Sequence, residues 1–209
     1  MNKLDNIYII NLKERTDRKK KVIEQLKKNN IINYKIIEAI KPSINDVNKW
    51  NNKYCNHRNI DTYKIGCLGC LKSHLFIYND AIKNNYNNIL ILEDDFLIKM
   101  DLYKNVNLDF CIENNYGLFY LGGSHYKKPV HIKNNIYKCI ETHTTHAYII
   151  SKQCIKYIIN NINNWNKEID VYLSNIIQKN FNCYCLYPSL ITQSDGISDI
   201  QNKYVNYNI

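Results

Sequence analysis

Short apolar runs alternate along this chain with stretches of helical apolar spacing, and the alternation predicts its elements. Asn6 to Leu12 (Asn-Ile-Tyr-Ile-Ile-Asn-Leu) reads as a first strand, apolar enough to be central. Val22, Ile23 and Leu26 then give one apolar side to a helix capped by Thr16 and ended by Asn29-Asn30. Tyr34 to Ile40 is the second strand. This β-α-β opening favours parallel pairing through a right-handed crossover. Lys41 to Ile65 is polar, carries Pro42 and has no clear period beyond a short helix from Ser43 to Trp50, so it reads as a loop-rich excursion. Leu68, Leu71, Leu75, Tyr78 and Ile82 recur at helical spacing and predict a helix over Gly66 to Asn84.

The run Ile89-Leu90-Ile91-Leu92 has no polar alternation, which fits a strand covered on both faces. Three carboxylates follow it without a gap: Glu93, Asp94 and Asp95. Side chains alternate along a strand, so Glu93 and Asp95 would point one way and Asp94 the other. Open α/β sheets bind ligands at the carboxyl ends of their strands, where this cluster falls. Adjacent carboxylates repel, so either one takes up a proton or a hard divalent cation sits among them and brings a phosphate-bearing substrate. The plainer reading is that Asp94 and Asp95 only turn the chain at the end of the strand.

Further on, the pattern predicts a weak helix over Leu102 to Asn114 and a strand Gly117 to Leu121 ended by Gly122-Gly123. A hairpin follows around Asn134-Asn135 within Val130 to Ile140, then a strand Thr145 to Ile150 with Ser151 capping the next helix. Asp170 opens a helical stretch with Val171, Leu173, Ile176 and Ile177 on its apolar side, and Phe181 to Tyr187 is a last strand before Pro188. The tail from Gln193 to Gln201 is polar. No repeat or low-complexity linker divides the chain, so one α/β domain spanning residues 1–209 is expected.

Composition changes this picture little. Met1 to Ile10 lacks the long apolar run of a signal peptide, and no segment has the length of a membrane span, so a cytoplasmic protein is expected. The net charge of +9 raises the question of nucleic acid. No recognition motif accompanies it, and the abundance of Asn, Lys, Ile and Tyr points to A- and T-rich codons, so a nucleic-acid partner is not expected. The charge would still attract an anionic substrate. Cys67 and Cys70 form a Cys-x-x-Cys pair, but no second pair or histidine spacing completes a zinc site, and the eight cysteines read mostly as buried free thiols. Arg15 and Arg18, in the basic segment after the first strand, suit phosphate or base contacts, or simply a solvated helix face. His74 inside its helix reads as a structural hydrogen-bonding group.

Several separated stretches together resemble glycosyltransferase family 25, which includes lipopolysaccharide-modifying transferases and procollagen galactosyltransferases. Ile9-Ile10-Asn11-Leu12 with Arg15 and Arg18 resembles that family's first strand and basic loop. Gly66-Cys67-Leu68-Gly69-Cys70-Leu71-Lys72-Ser73-His74 resembles its Gly-Glu-Ile-Gly-Cys-x-x-Ser-His segment, with Cys67 in place of the acidic residue. Leu92-Glu93-Asp94-Asp95 resembles its Leu-Glu-Asp-Asp motif. Thr145 to Ser151, Ile169-Asp170, Tyr187-Pro188 and Ser198-Asp199 follow in the family's order.

The resemblance implies a GT-A-like (Rossmann-like) fold with a mixed, mostly parallel sheet flanked by helices. It also implies a UDP-sugar donor carrying galactose or glucose, Mn²⁺ (or Mg²⁺), and inversion at the anomeric carbon. Asp95 with Glu93 would hold the cation, which neutralises the departing diphosphate. Asn11, Leu12, Arg15, Arg18, Ser73, His74, Glu93 and Asp94 would line the donor site. Inversion in one displacement needs a base for the acceptor hydroxyl. Asp170, at a helix start, is the first candidate and Asp199 the second; Asp199 or His146 could instead complete the metal site. The acceptor would be a glycan, a lipid-linked saccharide or a collagen-like protein. The rival classes are an inactive domain of this fold acting as a binding scaffold, and a metal-dependent nucleotidyltransferase or phosphoesterase.

Overall fold

β1 (Asn6–Asn11), α1 (Thr16–Lys28) and β2 (Lys35–Glu38) form the expected β-α-β unit, and β1 lies parallel to both β2 and β3 (Asn88–Glu93). The structure, a computed structural model, describes residues 3–50, 60–201 and 203–207. Thr16 is the first helical residue and not the cap; Arg15 precedes it without a side-chain capping bond. α2 (Ile44–Lys49) starts at a capping box in which Ser43 and Asp46 satisfy each other's backbone amides. The middle of the expected excursion, residues 51–59 with Cys55, lies outside the described residues. α3 (Ile60–Lys83) begins earlier than the expected Gly66, because Ile65 packs on the core and extends the apolar face by a turn.

After β3 the chain forms β4 (Phe96–Ile98), and the expected weak helix is two short ones, α4 (Leu102–Asn105) and α5 (Asp109–Glu113). Val106 and Leu108 interrupt them because both are buried. β5 (Tyr116–Lys127) does not stop at Gly122-Gly123 but runs through both. The β6 (Val130–Lys133) and β7 (Ile136–Lys138) hairpin turns at Asn134, whose φ is 51°, as its sequence implied. β8 (Glu141–Ser151) is longer than its apolar run, and Ser151 caps α6 (Lys152–Asn161) by accepting from the Cys154 amide. α7 (Ile169–Tyr172) continues through a π-helical turn, Leu173–Ile177, into α8 (Gln178–Asn180), and β9 (Asn182–Leu186) follows. The polar tail is ordered as β10 (Ile191–Gln193), β11 (Gly196–Ser198) and β12 (Lys203–Val205).

Eight strands make one sheet in the order β2-β1-β3-β8-β5-β9-β7-β6. β2, β1, β3, β5, β9 and β6 run one way, and β8 and β7 run against them, giving a mixed, mostly parallel sheet. The unbroken apolar run of β3 is explained by its position: Ile89 and Ile91 join one buried cluster, and Leu90 and Leu92 join the other. The first cluster is closed by α3, α6 and α7, the second by α1, α4 and α5. Burying about 25 cal/mol per Å² of apolar surface on both faces fixes the strand, and therefore fixes where its polar end emerges. Since β8 runs against β3, the start of β8 arrives beside the end of β3, and Asp94 and Asp95 turn the chain into β4, which pairs with β10.

Candidate active site

Glu93 closes β3, and its Oε1 accepts from Thr145 Oγ1 (2.6 Å) and lies 3.4 Å from His74 Nε2. His74 is fully buried on α3, with Nδ1 2.7 Å from the Tyr148 hydroxyl, which is in turn 2.6 Å from that of Tyr78. His74 thus sets Nε2 against Glu93 and Nδ1 against the Tyr148 hydroxyl. The relay thereby orients the carboxylate. Burial alone would push Glu93 up, but the hydrogen bonds from His74 and Thr145 and the histidine charge hold it below the usual carboxylate range. His74 thus reaches the site through Glu93. The Ser73 hydroxyl donates to the Gly69 carbonyl (2.7 Å) and accepts from the Ile40 amide (2.8 Å), so it ties α3 to the end of β2.

Asp94 turns toward the basic loop after β1. Asn11 Nδ2 donates to its Oδ2 and Arg18 Nη1 to its Oδ1, both at 2.6 Å. Burial nonetheless pushes its carboxyl upward. Asp95 is 9% exposed, and only one of its oxygens is satisfied: Oδ2 accepts from Gln193 Nε2 (3.2 Å), while buried Oδ1 has no partner. Burial, joined by the charge of Glu93, pushes Asp95 up to about 7. An orphaned oxygen and a carboxyl that resists ionisation are the marks of a site short of positive charge, and a hard cation fits that need. The acidic cluster thus turns the chain and leaves Asp95 Oδ1 without a partner.

Ligand atoms of Cys70, His74 and Glu93 lie within 4.8 Å of one another, the one such trio of metal-ligating types found among the described residues. Its sulfur and imidazole suit a soft ion. His74 already uses Nδ1 for Tyr148, and its Nε2–H can satisfy Glu93, so a proton fills the role a metal would take. Asp95 with Glu93 remains the better fit for a hard cation. His146 is engaged at both nitrogens, with Thr144 Oγ1 at 3.1 Å and the Ile191 carbonyl at 3.3 Å, and burial keeps it neutral.

Two clefts meet at Arg15, Arg18 and Asp94. The one of about 550 Å³ runs outward along α1 and touches neither Glu93 nor Asp95. The one of about 470 Å³ contains both, together with Leu12, Gly69, Cys70 and Asp199. The second therefore gathers the candidate acidic and basic groups. Arg15 Nη1 donates to Asp199 Oδ2 (2.5 Å), and Arg18 Nη2 donates to the Ile197 carbonyl (2.6 Å), so the C-terminal segment lies across the cleft mouth. Asp170 stands apart, at the start of α7: its Oδ2 accepts from the Thr144 amide (3.3 Å) and lies 3.8 Å from His143 Nδ1. Thr144 and Thr145 are consecutive on β8, so Asp170 and Glu93 address neighbouring positions of that strand.

The structure therefore brings Leu12, Arg15, Arg18, Glu93, Asp94, Asp95 and Asp199 to one cleft, with Ser73 in its wall, Asn11 behind Asp94, His74 behind Glu93 and Asp170 beyond β8. Sequence reasoning missed Gln193, Thr145 as a partner of Glu93, and Tyr207, whose phenol is raised by burial and by the charges of Asp95 and Glu93. For Gln193 the signal was the apolar pair Leu190-Ile191, which is buried and starts β10 two residues before it.

Residues 4–137 match the sequence profile of glycosyltransferase family 25 (LPS biosynthesis protein). A Haemophilus influenzae protein with a provisional glycosyltransferase name is 25% identical over 180 residues, covering 83% of this chain and 63% of that protein. An Acanthamoeba polyphaga mimivirus protein named procollagen lysyl hydroxylase and glycosyltransferase is 27% identical over 181 residues, covering 75% of this chain and 20% of its own length. The chain thus spans under two thirds of either relative. A solved glycosyltransferase involved in glycosylation of the PBCV-1 major capsid has a TM-score of 0.52 at 10% identity, covering 94% of this chain and 95% of that one, which shows a shared GT-A-like fold.

Proposed function

The chain belongs to glycosyltransferase family 25, and on that premise we propose that it moves a hexose, galactose or glucose, from a UDP-sugar to an acceptor hydroxyl, with Mn²⁺ or Mg²⁺ and with inversion. The acceptor belongs to a glycan, a lipid-linked saccharide or a collagen-like protein. The observation that carries the reading is Asp95: a buried carboxylate with a free oxygen, pushed up to about 7 by burial and Glu93, in a cleft rimmed by two arginines.

Each residue has a task set by its surroundings. Arg15 and Arg18 offer forked donors to the donor diphosphate, whose oxygens replace Asp199 on them. Asp95 and Glu93 would hold the cation. When bound, the cation supplies positive charge against the charge that develops on the leaving diphosphate. Asn11 holds Asp94, and His74 with Thr145 holds Glu93, so the cluster is set before the donor arrives. Asp170 takes the proton of the acceptor hydroxyl as its oxygen bonds to the anomeric carbon. The bond from that carbon to the diphosphate oxygen breaks with its electron pair, and UDP departs. Asp199, engaged by Arg15 and Arg18, is the weaker choice of base.

The test is a screen of UDP-glucose and UDP-galactose with Mn²⁺, with Mg²⁺ and with chelator, reading melting temperature and released product. Stabilisation by one UDP-sugar and release of UDP, both lost with chelator, are expected. Sugar 1-phosphate with UMP as products would assign a phosphoesterase instead, and sugar 1-phosphate with UTP on adding pyrophosphate would assign nucleotidyl transfer. No response to any UDP-sugar or to UDP would assign a binding scaffold.

A further inference from the structure

β11 and β12 form a two-stranded sheet apart from the main one, with Gly196 opposite Val205, Ile197 opposite Tyr204 and Ser198 opposite Lys203. Ile197 is 58% exposed and Tyr204 67%, so the hairpin buries no core of its own. A two-stranded hairpin without a core is marginal, and its position must come from contacts outside it. Those contacts lie at the cleft. Asp199 accepts from Arg15 at 2.5 Å and lies 3.6 Å from Arg18, while the Ile197 carbonyl accepts from Arg18 at 2.6 Å. Ile200 adds one packed contact, so close to α3 that a Cβ on Gly66 would stand 2.9 Å from its Cα. Past the hairpin, the Tyr207 amide donates to Asp195 Oδ1 (2.7 Å). The half-buried Tyr207 ring lines the cleft beside Glu93 and Asp95, and Gln193 is hydrogen-bonded to both its phenol and Asp95.

The hairpin is thus held mainly by the two guanidinium groups that suit a diphosphate, and Tyr207 stands at the carboxylates that suit a cation. Its base is firm, since the Ser194 amide donates to the Asp95 carbonyl at 2.7 Å, and a pivot lies just beyond, where a Cβ on Gly196 would meet nothing within 4 Å. Asp199 brings one negative charge to the arginines. A diphosphate brings two or more, with several oxygens for the guanidinium forks, and it wins that exchange. We propose that the β11–β12 hairpin is an autoinhibitory latch, in which Asp199 keeps the place of the donor diphosphate until a diphosphate takes Arg15 and Arg18 from it and frees the hairpin. This rests on the transferase reading, which puts the donor diphosphate at these arginines. Because Asp199 is tethered, it competes at high effective concentration, and a site closed for part of the time binds its ligand more weakly in proportion.

Hydrogen exchange of the whole chain, read by mass spectrometry, tests the latch, with calorimetry reporting UDP binding separately. The β11 and β12 amides should exchange at least tenfold faster with saturating UDP and Mg²⁺ than in the free chain. Pyrophosphate with Mg²⁺ should have the same effect. Asp199→Asn should show the faster exchange without any ligand and gain less than twofold from UDP, while its β1 and β3 amides match wild type, which separates unlatching from misfolding. UDP that binds yet leaves the hairpin unchanged or slowed overturns the latch, as does an Asp199→Asn hairpin that exchanges like wild type. Failure of UDP to bind, with pyrophosphate still freeing the hairpin, would sink the transferase reading and keep the latch. If neither ligand speeds exchange, the latch is wrong.

Discussion

Among the described residues, Asp95 is the buried carboxylate with an unpartnered oxygen, and its burial makes it measurable without substrate. Its folded pKa of about 7 lies above the ordinary value of 3.8, so between those limits the folded chain holds more protons than the unfolded one. Stability must then fall as pH rises through that window, by up to about 4 kcal/mol for a shift of this size. In chelator, Asp95→Asn should melt above wild type at pH 8, and the gap should close toward pH 4. Thermal melts across that range check it; a gap independent of pH would mean that the carboxylate is comfortably ionised. The three consecutive carboxylates were legible in the sequence because they follow an unbroken apolar run. Their separate partners were not: Arg18, Thr145 and Gln193 lie far away along the chain, and only the sheet order brings them in.

At the scale of elements, hydrophobic period located the strands and the long helix, and failed where glycine serves packing. Gly122-Gly123 reads as a strand end, yet β5 continues because Gly122 lies under β10. A Cβ there would stand 2.0 Å from the Ile191 carbonyl oxygen and 2.4 Å from His146 Nε2. Gly122→Ala should therefore force β10 and its Gln193 away from Asp95, costing about 2 kcal/mol or more. For a chain of this length that is a drop of roughly 4–8 °C in melting temperature. An unchanged melt would show that β10 is loosely held. Gly69 has the same logic on α3, where a Cβ would meet the Ile40 carbonyl oxygen at 2.6 Å. Glycines inside periodic runs thus marked close approach between elements, and the sequence alone could not say to what.

The whole molecule is arranged so that a basic loop, an acidic turn and the chain's last strands meet at one end of the sheet. No helix among the described residues is long and apolar enough to cross a membrane. The net charge of +9 is spread over the chain, but Arg15 and Arg18 are already held by Asp199, so this carboxylate sits where the donor diphosphate would. Asp199→Asn should remove one of the two carboxylates on each guanidinium group, leaving Asp17 on Arg15 and Asp94 on Arg18, and tighten UDP binding severalfold, read by titration. A weakening would instead return Asp199 to a direct part in holding donor or cation. Leu12, Arg15, Arg18, Ser73, Glu93, Asp94, Asp95 and Asp199, all taken from family motifs, line one cleft, whereas Asp170, taken from the same motifs, stands beyond β8. The motifs did not predict that the polar tail covers the cleft, since β11 and β12 form a short hairpin with no apolar run to announce it.

A calorimetric titration of UDP into wild type and Asp95→Asn, each with Mn²⁺ and with chelator, tests the metal-dependent nucleotide site. UDP should bind wild type with Mn²⁺, and the chelator should weaken it at least tenfold, as should the substitution. Equal affinity in all four titrations would contradict the role given to Asp95, and no binding in any of them would contradict the nucleotide-sugar reading itself.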